Sequence, residues 1–566
     1  MTQRAAHGGG QRHPLFVVLT RRLTSVVAGM ALLAGFVVAD DGGVFQSSST
    51  QPVDSASFFP GCNTPTSATS TLTVVVGTVT CQEMPSADLG GVTAFSYYVP
   101  QQCDPAGLGP VGARCPVLYL LHGFGGDYTS ELGTASAPSA MVAALRSGPP
   151  VDPSHVLDPW DYANPSGWVP MSPIDFILVA PDGRTVPGGY GPGGGLDGFW
   201  MDWNPRYAAG GDQHVYNTPP PRFEASLLDE LIPYVDQNFP AGTGRDWQAL
   251  QGTSLGGFGS YKDGLQHPDE WASIGSISGA LNFLIAPGPQ PLSSITGPSP
   301  VSVSPPGGVP YFQVPGIVSA NVPVTSLPAQ VEDYGVALYA LGDPVGDQAF
   351  YRGNMPVDLA QNGHADAAGT PSLDIRGFSN DAVPRQVSDV ENPQSYASAQ
   401  AFETLVLDMN VQMEAAFAAQ GVSNGYQLHP GIHEDVYWNP FLRQELAGQY
   451  ANVLHPDGTG SPPPVPTNFD YRTIARQFDI WGWNVSVQRT DVDFLDLTGV
   501  SCQGLTLQGT GVVTVTVPVS CGTGVNGSPT FTVDLGPAAP VDDGPDAAAI
   551  PAYGGTAHLT LTPLSG

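Results

Sequence analysis

The chain has 566 residues, more than a single ordinary core accommodates, which argues for one large domain and a smaller one. Apolar residues are 41% and aromatics 9%, which excludes wholesale disorder, while 70 Gly and 57 Pro favour long loops over helical bundles. Only 18 Lys plus Arg face 50 Asp plus Glu, a net charge of -32 with Lys262 the sole lysine, so nucleic acid and anionic membrane surfaces are repelled rather than bound.

Residues 1–39 read as an export signal peptide. Arg4, Arg12, Arg21 and Arg22 precede an apolar run at 26–39, and Val37, Val38 and Ala39 offer small residues for cleavage before Asp40. That run is about 14 residues, short of the roughly 20 that span a bilayer, so no transmembrane anchor is expected after cleavage. A secreted or cell-wall-associated protein follows. Six cysteines without C-x-x-C spacing fit that compartment as disulfides. Cys103 with Cys115 and Cys502 with Cys521 would each close a short loop, leaving Cys62 with Cys81; free buried thiols are the alternative.

Residues 40–70, rich in Ser, Thr, Gly and Pro, read as a loose segment. From 71 to 460 strand and helix patterns alternate, as in an α/β domain with a mostly parallel sheet. Strands are expected at 72–76 (LTVVV), 92–99, 117–121 (VLYLL), 176–180 (FILVA), 247–251 and 373–377, and helices at 223–239, 255–266 and about 395–420. The continuous apolar runs at 117–121 and 176–180 suit strands covered on both faces. The glycine-rich stretch 188–195 lacks the Gly-Lys-Ser/Thr of a phosphate loop and reads as a surface loop, and 286–310 reads as a loop insertion. Residues 461–474, opening with SPPPVP, read as a stiff linker, and 475–566 as a small all-β, sandwich-like accessory domain.

Two G-x-S-x-G matches occur, at 252–256 and 421–425. Ser254 sits between an expected strand and an expected helix, where a sharp turn would present its hydroxyl above the sheet. Ser423 follows a helix instead and reads as a helix-ending turn. A serine needs a base and donors for the developing oxyanion. The turn His122-Gly123-Phe124-Gly125-Gly126 directly follows the 117–121 strand, so the Phe124 N–H is one candidate donor and that of Leu255, after the serine, the other. His122 in such a turn orders the loop rather than acting as base. The base is expected late in the chain, and His433 fits, in a turn after the strand near 426–428. His429 is the near decoy, His364 and His455 lie in polar Pro/Gly-rich stretches, and His267 ends the helix after Ser254. The histidines do not cluster at ligand spacing, so neither metal nor organic cofactor is implied.

The run GTSLGGFG at 252–259, with His267-Pro268 and Ser276-Ile-Ser-Gly279, resembles the putative-esterase family of α/β-hydrolases, which includes esterase D and the secreted mycolyltransferases. Further similarity lies at 341–344 (LGDP) and 351–360, while 403–410 (ETLVLDMN) and 431–438 (GIHEDVYW) are similar to the mycolyltransferase branch. The resemblance covers about 75–450 and implies an α/β-hydrolase fold with Glu403 and His433 in the catalytic set. Asp381 is the alternative acid, because in α/β-hydrolases generally the acid follows a late strand. Mycolyltransferases carry Asp-Gly-Leu-Arg, whose charges help hold trehalose, where this chain has His122-Gly123-Phe124-Gly125. Their loss favours plain ester hydrolysis.

The expectation is thus an exported serine carboxylesterase acting on small-molecule or lipid esters through Ser254, His433 and Glu403. An acyltransferase that moves acyl groups to a sugar hydroxyl is the same-class alternative. A non-catalytic protein whose β-domain binds cell-wall carbohydrate is the other.

Overall fold

The computed structural model describes residues 59, 62–63, 74–103, 114–136, 138–139, 142, 174–184, 198–204, 220–283, 340–341, 348–364, 372–380, 393–422, 425–431, 433, 438, 445–521, 528–537 and 555–561. The expected signal peptide, the loops at 188–195 and 286–310, Asp381 and Ser423 lie outside the described residues.

One eight-stranded sheet forms the centre. Its strands are β1 (Thr80–Ser86), β2 (Gly91–Tyr98), β3 (Val117–Leu121), β4 (Ile177–Pro181), β5 (Gln248–Thr253), β6 (Ser273–Ile277), β7 (Ser372–Asn380) and β8 (Gln427–Gly431), in the order β1-β2-β4-β3-β5-β6-β7-β8. β1 with β2 and β2 with β4 pair antiparallel, and the other five pairs are parallel. Alternate residues of β3 feed two separate cores: Val117, Tyr119 and Leu121 on one face, Leu118 and Leu120 on the other. Burial on both faces is why this strand reads as an unbroken apolar run.

The N-terminal strand differs from the expectation. Of 72–76 the described residues form only a bridge, Val76 to Val99. The strand proper is β1, TCQEMPS, which lacks apolar alternation because it buries polar groups. Glu83 is buried with Oε1 accepting the Phe59 N–H at 2.8 Å, and Cys81 is bonded to Cys62. The other two disulfides join Cys103 to Cys115 and Cys502 to Cys521.

Two helices share the core on one face of the sheet, the first beside β1 and β2, the second against β3, β5 and β6. The run α1 comprises Phe223–Ala225, a π-helical turn Ser226–Leu231, and Ile232–Asn238, burying Leu227, Leu231, Ile232 and Val235. Pro233 sits at the start of its last segment and supplies no N–H to the ladder, which fits a register change just before it. α2 (Leu255–Gln266) is buried along all twelve residues. The long α3 (Pro393–Gln420) packs beside β7.

The C-terminal part consists of two four-stranded antiparallel sheets around their own core. One holds β10 (Gln477–Ile480), β11 (Trp483–Gln488), β14 (Val512–Thr516) and β15 (Thr530–Asp534). The other holds β16 (Gly555–Thr560), β13 (Gly504–Gly509), β12 (Leu495–Ser501) and β9 (Phe469–Thr473). β9 lies inside the stretch read as linker. Its alternating sequence FDYRT turns Phe469 and Tyr471 into the sandwich core, so the sandwich begins at Phe469 and the proline run alone precedes it.

That proline run is held against the first domain. Arg245, itself buried, donates through Nη1 to the Pro463 carbonyl at 2.5 Å and through Nε to that of Pro268, and its guanidinium lies 5.0 Å from the Trp481 ring. The Tyr471 hydroxyl donates to the Gln266 carbonyl at the end of α2 (2.6 Å), and the Trp481 N–H donates to Asp269 (3.0 Å).

Candidate active site

Ser254 lies between β5 and α2 at φ 56° and ψ -114°, a positive φ outside the regions that side-chain-bearing residues prefer. Its neighbours permit this. A Cβ on Gly252 would stand 2.0 Å from the Gly256 carbonyl oxygen, and one on Gly256 would stand 1.9 Å from that of Leu121. Only glycine lets the chain fold this tightly against the end of β3. The strained turn is held by the Ser254 N–H donating to Ile277 O (2.9 Å) and by Ser254 O accepting from Ala280 N–H (3.0 Å).

From this turn a hydrogen-bonded run extends across three elements. Ser254 Oγ is 2.8 Å from His433 Nε2, and His433 Nδ1 is 2.9 Å from Glu403 Oε2. Glu403 is fully buried on α3. With Nδ1–H donating to the carboxylate, Nε2 keeps its lone pair for the serine hydroxyl. Such an arrangement can remove a proton from Ser254 and stabilise the resulting imidazolium.

Two further residues join the set, and sequence reasoning assigned neither a role. Ser278 Oγ donates to Glu403 Oε1 at 2.9 Å, and the Trp438 indole N–H donates to Ser278 Oγ at 3.1 Å. The Trp438 ring meets the His433 ring edge-on, centroids 4.7 Å apart at 88°. Ser278 also holds a positive φ, 48°. Asn410, buried one helical stretch beyond Glu403, donates to Gly279 O at 2.9 Å and so ties α3 to the Ser278 turn. All three lie in motifs that carried the family resemblance, which was the available signal.

On the other side of Ser254 lies the turn after β3. A Cβ on Gly123 would stand 3.2 Å from Ser254 Cβ, so this turn abuts the serine directly. His122 is buried beneath it: Nδ1–H donates to Gly123 O (2.8 Å) and Nε2 accepts the Gly183 N–H (2.9 Å). Trp200 Nε1–H donates to His122 O, and its ring packs edge-on to the imidazole at 4.8 Å. Burial lowers the His122 pKa below its ordinary value, only partly offset by Asp182, so the ring stays neutral. Leu255 opens α2, and its N–H therefore has no carbonyl partner within the helix.

The remaining histidines sit elsewhere. His455 stacks on Tyr450 at 3.9 Å and bonds within its own turn. His267 Nε2 meets Glu224 Oε1 at 2.6 Å, in a mostly buried cluster under α2 where Lys262 Nζ bonds both Glu224 and Asp263. Burial alone would lower the Lys262 pKa, but Asp263 and Glu224 hold it above the ordinary value. His364 lies in a π turn and His429 in β8.

Residues 191–448 match the model of the family described as Putative esterase. Ser254, Glu403 and His433 all fall within the match, and the α/β-hydrolase fold it implies agrees with the order of the central sheet. Among solved structures, the chain is similar to an S-formylglutathione hydrolase of Agrobacterium tumefaciens, at 15% identity and TM-score 0.40 over 68% of this chain and 99% of that one. It is similar to MPT51 of Mycobacterium tuberculosis at 15% identity and TM-score 0.37, over 66% and 97%. A ferulic acid esterase of Anaeromyces mucronatus matches at 16% identity and TM-score 0.34, over 68% and 93%.

Proposed function

We propose that this chain, an ester-hydrolysing enzyme by its putative-esterase domain at 191–448, is an exported serine carboxylesterase that works through an acyl-enzyme. One observation carries the reading: Ser254 Oγ, His433 and the buried Glu403 form a continuous hydrogen-bonded run at 2.8 and 2.9 Å, starting from a serine on a strained strand-to-helix turn. His433 Nε2 takes the hydroxyl proton as Ser254 Oγ attacks the ester carbonyl, and returns it to the departing alcohol. Water then repeats the attack on the acyl-enzyme, with the same histidine as base. Glu403 holds the imidazolium. The N–H groups of Phe124 and Leu255, one in the turn abutting Ser254 and one at the head of α2, receive the oxyanion.

Export is part of the same proposal. Three disulfides suit an oxidising compartment, and no described helix is long and apolar enough to cross a membrane.

The test is turnover of p-nitrophenyl acetate by the wild-type chain and by Ser254→Ala, with a fluorophosphonate probe and peptide mapping. Turnover and labelling at Ser254 are expected, both lost in the variant. Undiminished turnover in Ser254→Ala would end the reading, and absence of any turnover would favour a binding protein. A trehalose-dependent acyl product would move the assignment to acyl transfer.

A further inference from the structure

The large apolar side chains left exposed among the described residues are Val75, Phe124, Val465 and Val519. Phe124 alone is aromatic, 48% exposed, and it directly follows Gly123, the residue that abuts Ser254. Most exposed apolar side chains need no explanation. This one stands on a turn built to stay still. Gly126 N–H (3.1 Å) and His122 Nδ1–H (2.8 Å) both donate to Gly123 O, and just beyond, Asp127 Oδ1 accepts from the backbone and hydroxyl of Thr129 while the Asp127 N–H donates to Ser130. An exposed ring carried by a turn whose backbone is already held, one residue from the glycine that abuts Ser254, spares a covering ligand the cost of ordering the loop.

We propose that the Phe124 ring is the apolar contact of the ester substrate and selects esters with an aliphatic or aromatic group of several carbons over acetates of small alcohols. The inference rests on the esterase reading and deepens it. Its physical basis is removal of the ring and of substrate methylenes from water. Each methylene fully covered contributes about 0.8 kcal/mol, about fourfold in kcat/KM, and a one-sided contact somewhat less.

Two ester series test this. One lengthens the acyl group from acetate to hexanoate on a constant alcohol; the other lengthens the alcohol on constant acetate. For the wild-type chain kcat/KM is expected to rise with length in at least one series, and the responding series identifies the half of the ester that meets the ring. Phe124→Ala should lower the long-to-short ratio in that series by about tenfold, while Phe124→Leu, which keeps an apolar side chain, retains most of it. Because the comparison is a ratio, any effect on the residue's own N–H, the proposed oxyanion donor, acts on long and short esters alike and cancels. An equal fall for long and short esters, or an unchanged ratio in both series, would overturn the proposal while leaving the esterase reading intact. Turnover of no ester by the wild-type chain would overturn both.

Discussion

Ser278 donates its hydroxyl to Oε1 of Glu403, the carboxylate oxygen opposite the one that faces His433. The carboxylate is thereby held at both ends, and Trp438 fastens Ser278 in turn. Ser278→Ala removes the bond to Oε1 and leaves a buried carboxylate oxygen without that donor. We expect kcat to fall about tenfold with little change in KM, since the loss affects the transition state rather than substrate binding. Ser278→Gly should lose as much kcat yet be the more stable of the two variants, because glycine accepts φ 48° freely and alanine does not. Steady-state kinetics and urea unfolding of both variants check the pair. Unaltered kcat in both would show that Glu403 is oriented without Ser278.

A second expectation concerns the join between the domains. Tyr471 reaches from β9 to the Gln266 carbonyl at the end of α2, the helix that begins after Ser254. Tyr471→Phe leaves this carbonyl without its donor in a buried place, a loss of about 1–3 kcal/mol. Urea unfolding followed by esterase activity should show the loss at the catalytic site, although the substitution lies in the sandwich. An unchanged midpoint would mean that the two domains unfold independently.

Much of this was legible in the sequence. The buried strands β3 and β4 announce themselves as apolar runs, and the turn at Ser254 as glycines flanking a serine between a strand and a helix. β1 was not legible, because its pairing depends on a buried glutamate and a disulfide rather than on alternation. β9 was hidden behind the proline run before it. The positions of Ser278, Trp438 and Asn410 were visible as motif residues, but their role is a matter of hydrogen bonds among segments more than a hundred residues apart. Spacing does not encode such contacts.

On α2, Lys262 is fully buried between Glu224 and its own neighbour Asp263. Lys262→Met would leave two buried carboxylates facing each other, at a cost of about 3–5 kcal/mol. The raised Lys262 pKa places its own pH dependence on the alkaline side: its contribution is complete below the unfolded value near 10.4 and declines only as pH rises through the folded value. Unfolding at pH 7 and pH 9 should therefore show the same deficit in the variant. A deficit that disappears at pH 9 would contradict the assigned pairing.

His122 predicts an acid effect of opposite sign. Its folded pKa is lowered by burial, so on acidification through about 6.5 the unfolded chain takes up a proton that the folded one does not. Stability therefore declines as pH falls through that window, since the proton favours the unfolded chain while the folded ring stays neutral and keeps its bond from the Gly183 N–H. His267, whose pKa is raised by Glu224 against the effect of burial, contributes in the reverse sense, so the wild-type curve alone is ambiguous. The difference between the wild-type chain and His122→Asn isolates the term: it should shrink from pH 7 to pH 5. A constant difference would mean that His122 is not buried neutral.

The last expectation decides the acid. Two carboxylates compete in sequence, Asp381 just after β7 and Glu403 within α3. Fold-level precedent favours the residue after the strand, whereas the geometry of the described residues places Glu403 Oε2 2.9 Å from His433 Nδ1 and buries it fully. A carboxylate in that position fixes the tautomer, so that Nε2 faces Ser254 without a proton. Glutamine of the same shape offers either an amide NH2, which repels Nδ1–H, or an oxygen without charge. The imidazole can then turn its unprotonated nitrogen inward and present N–H to the serine. By analogy with the serine-protease aspartate, Glu403→Gln should fold and lose about 10⁴-fold in kcat. Asp381→Asn should retain most activity. Retention in Glu403→Gln together with loss in Asp381→Asn would move the acid to Asp381, and a circular dichroism spectrum matching the wild type's guards either result against misfolding. The deficit in Glu403→Gln should also ease as pH rises, because hydroxide can replace the disabled base, whereas a merely destabilised variant would not recover.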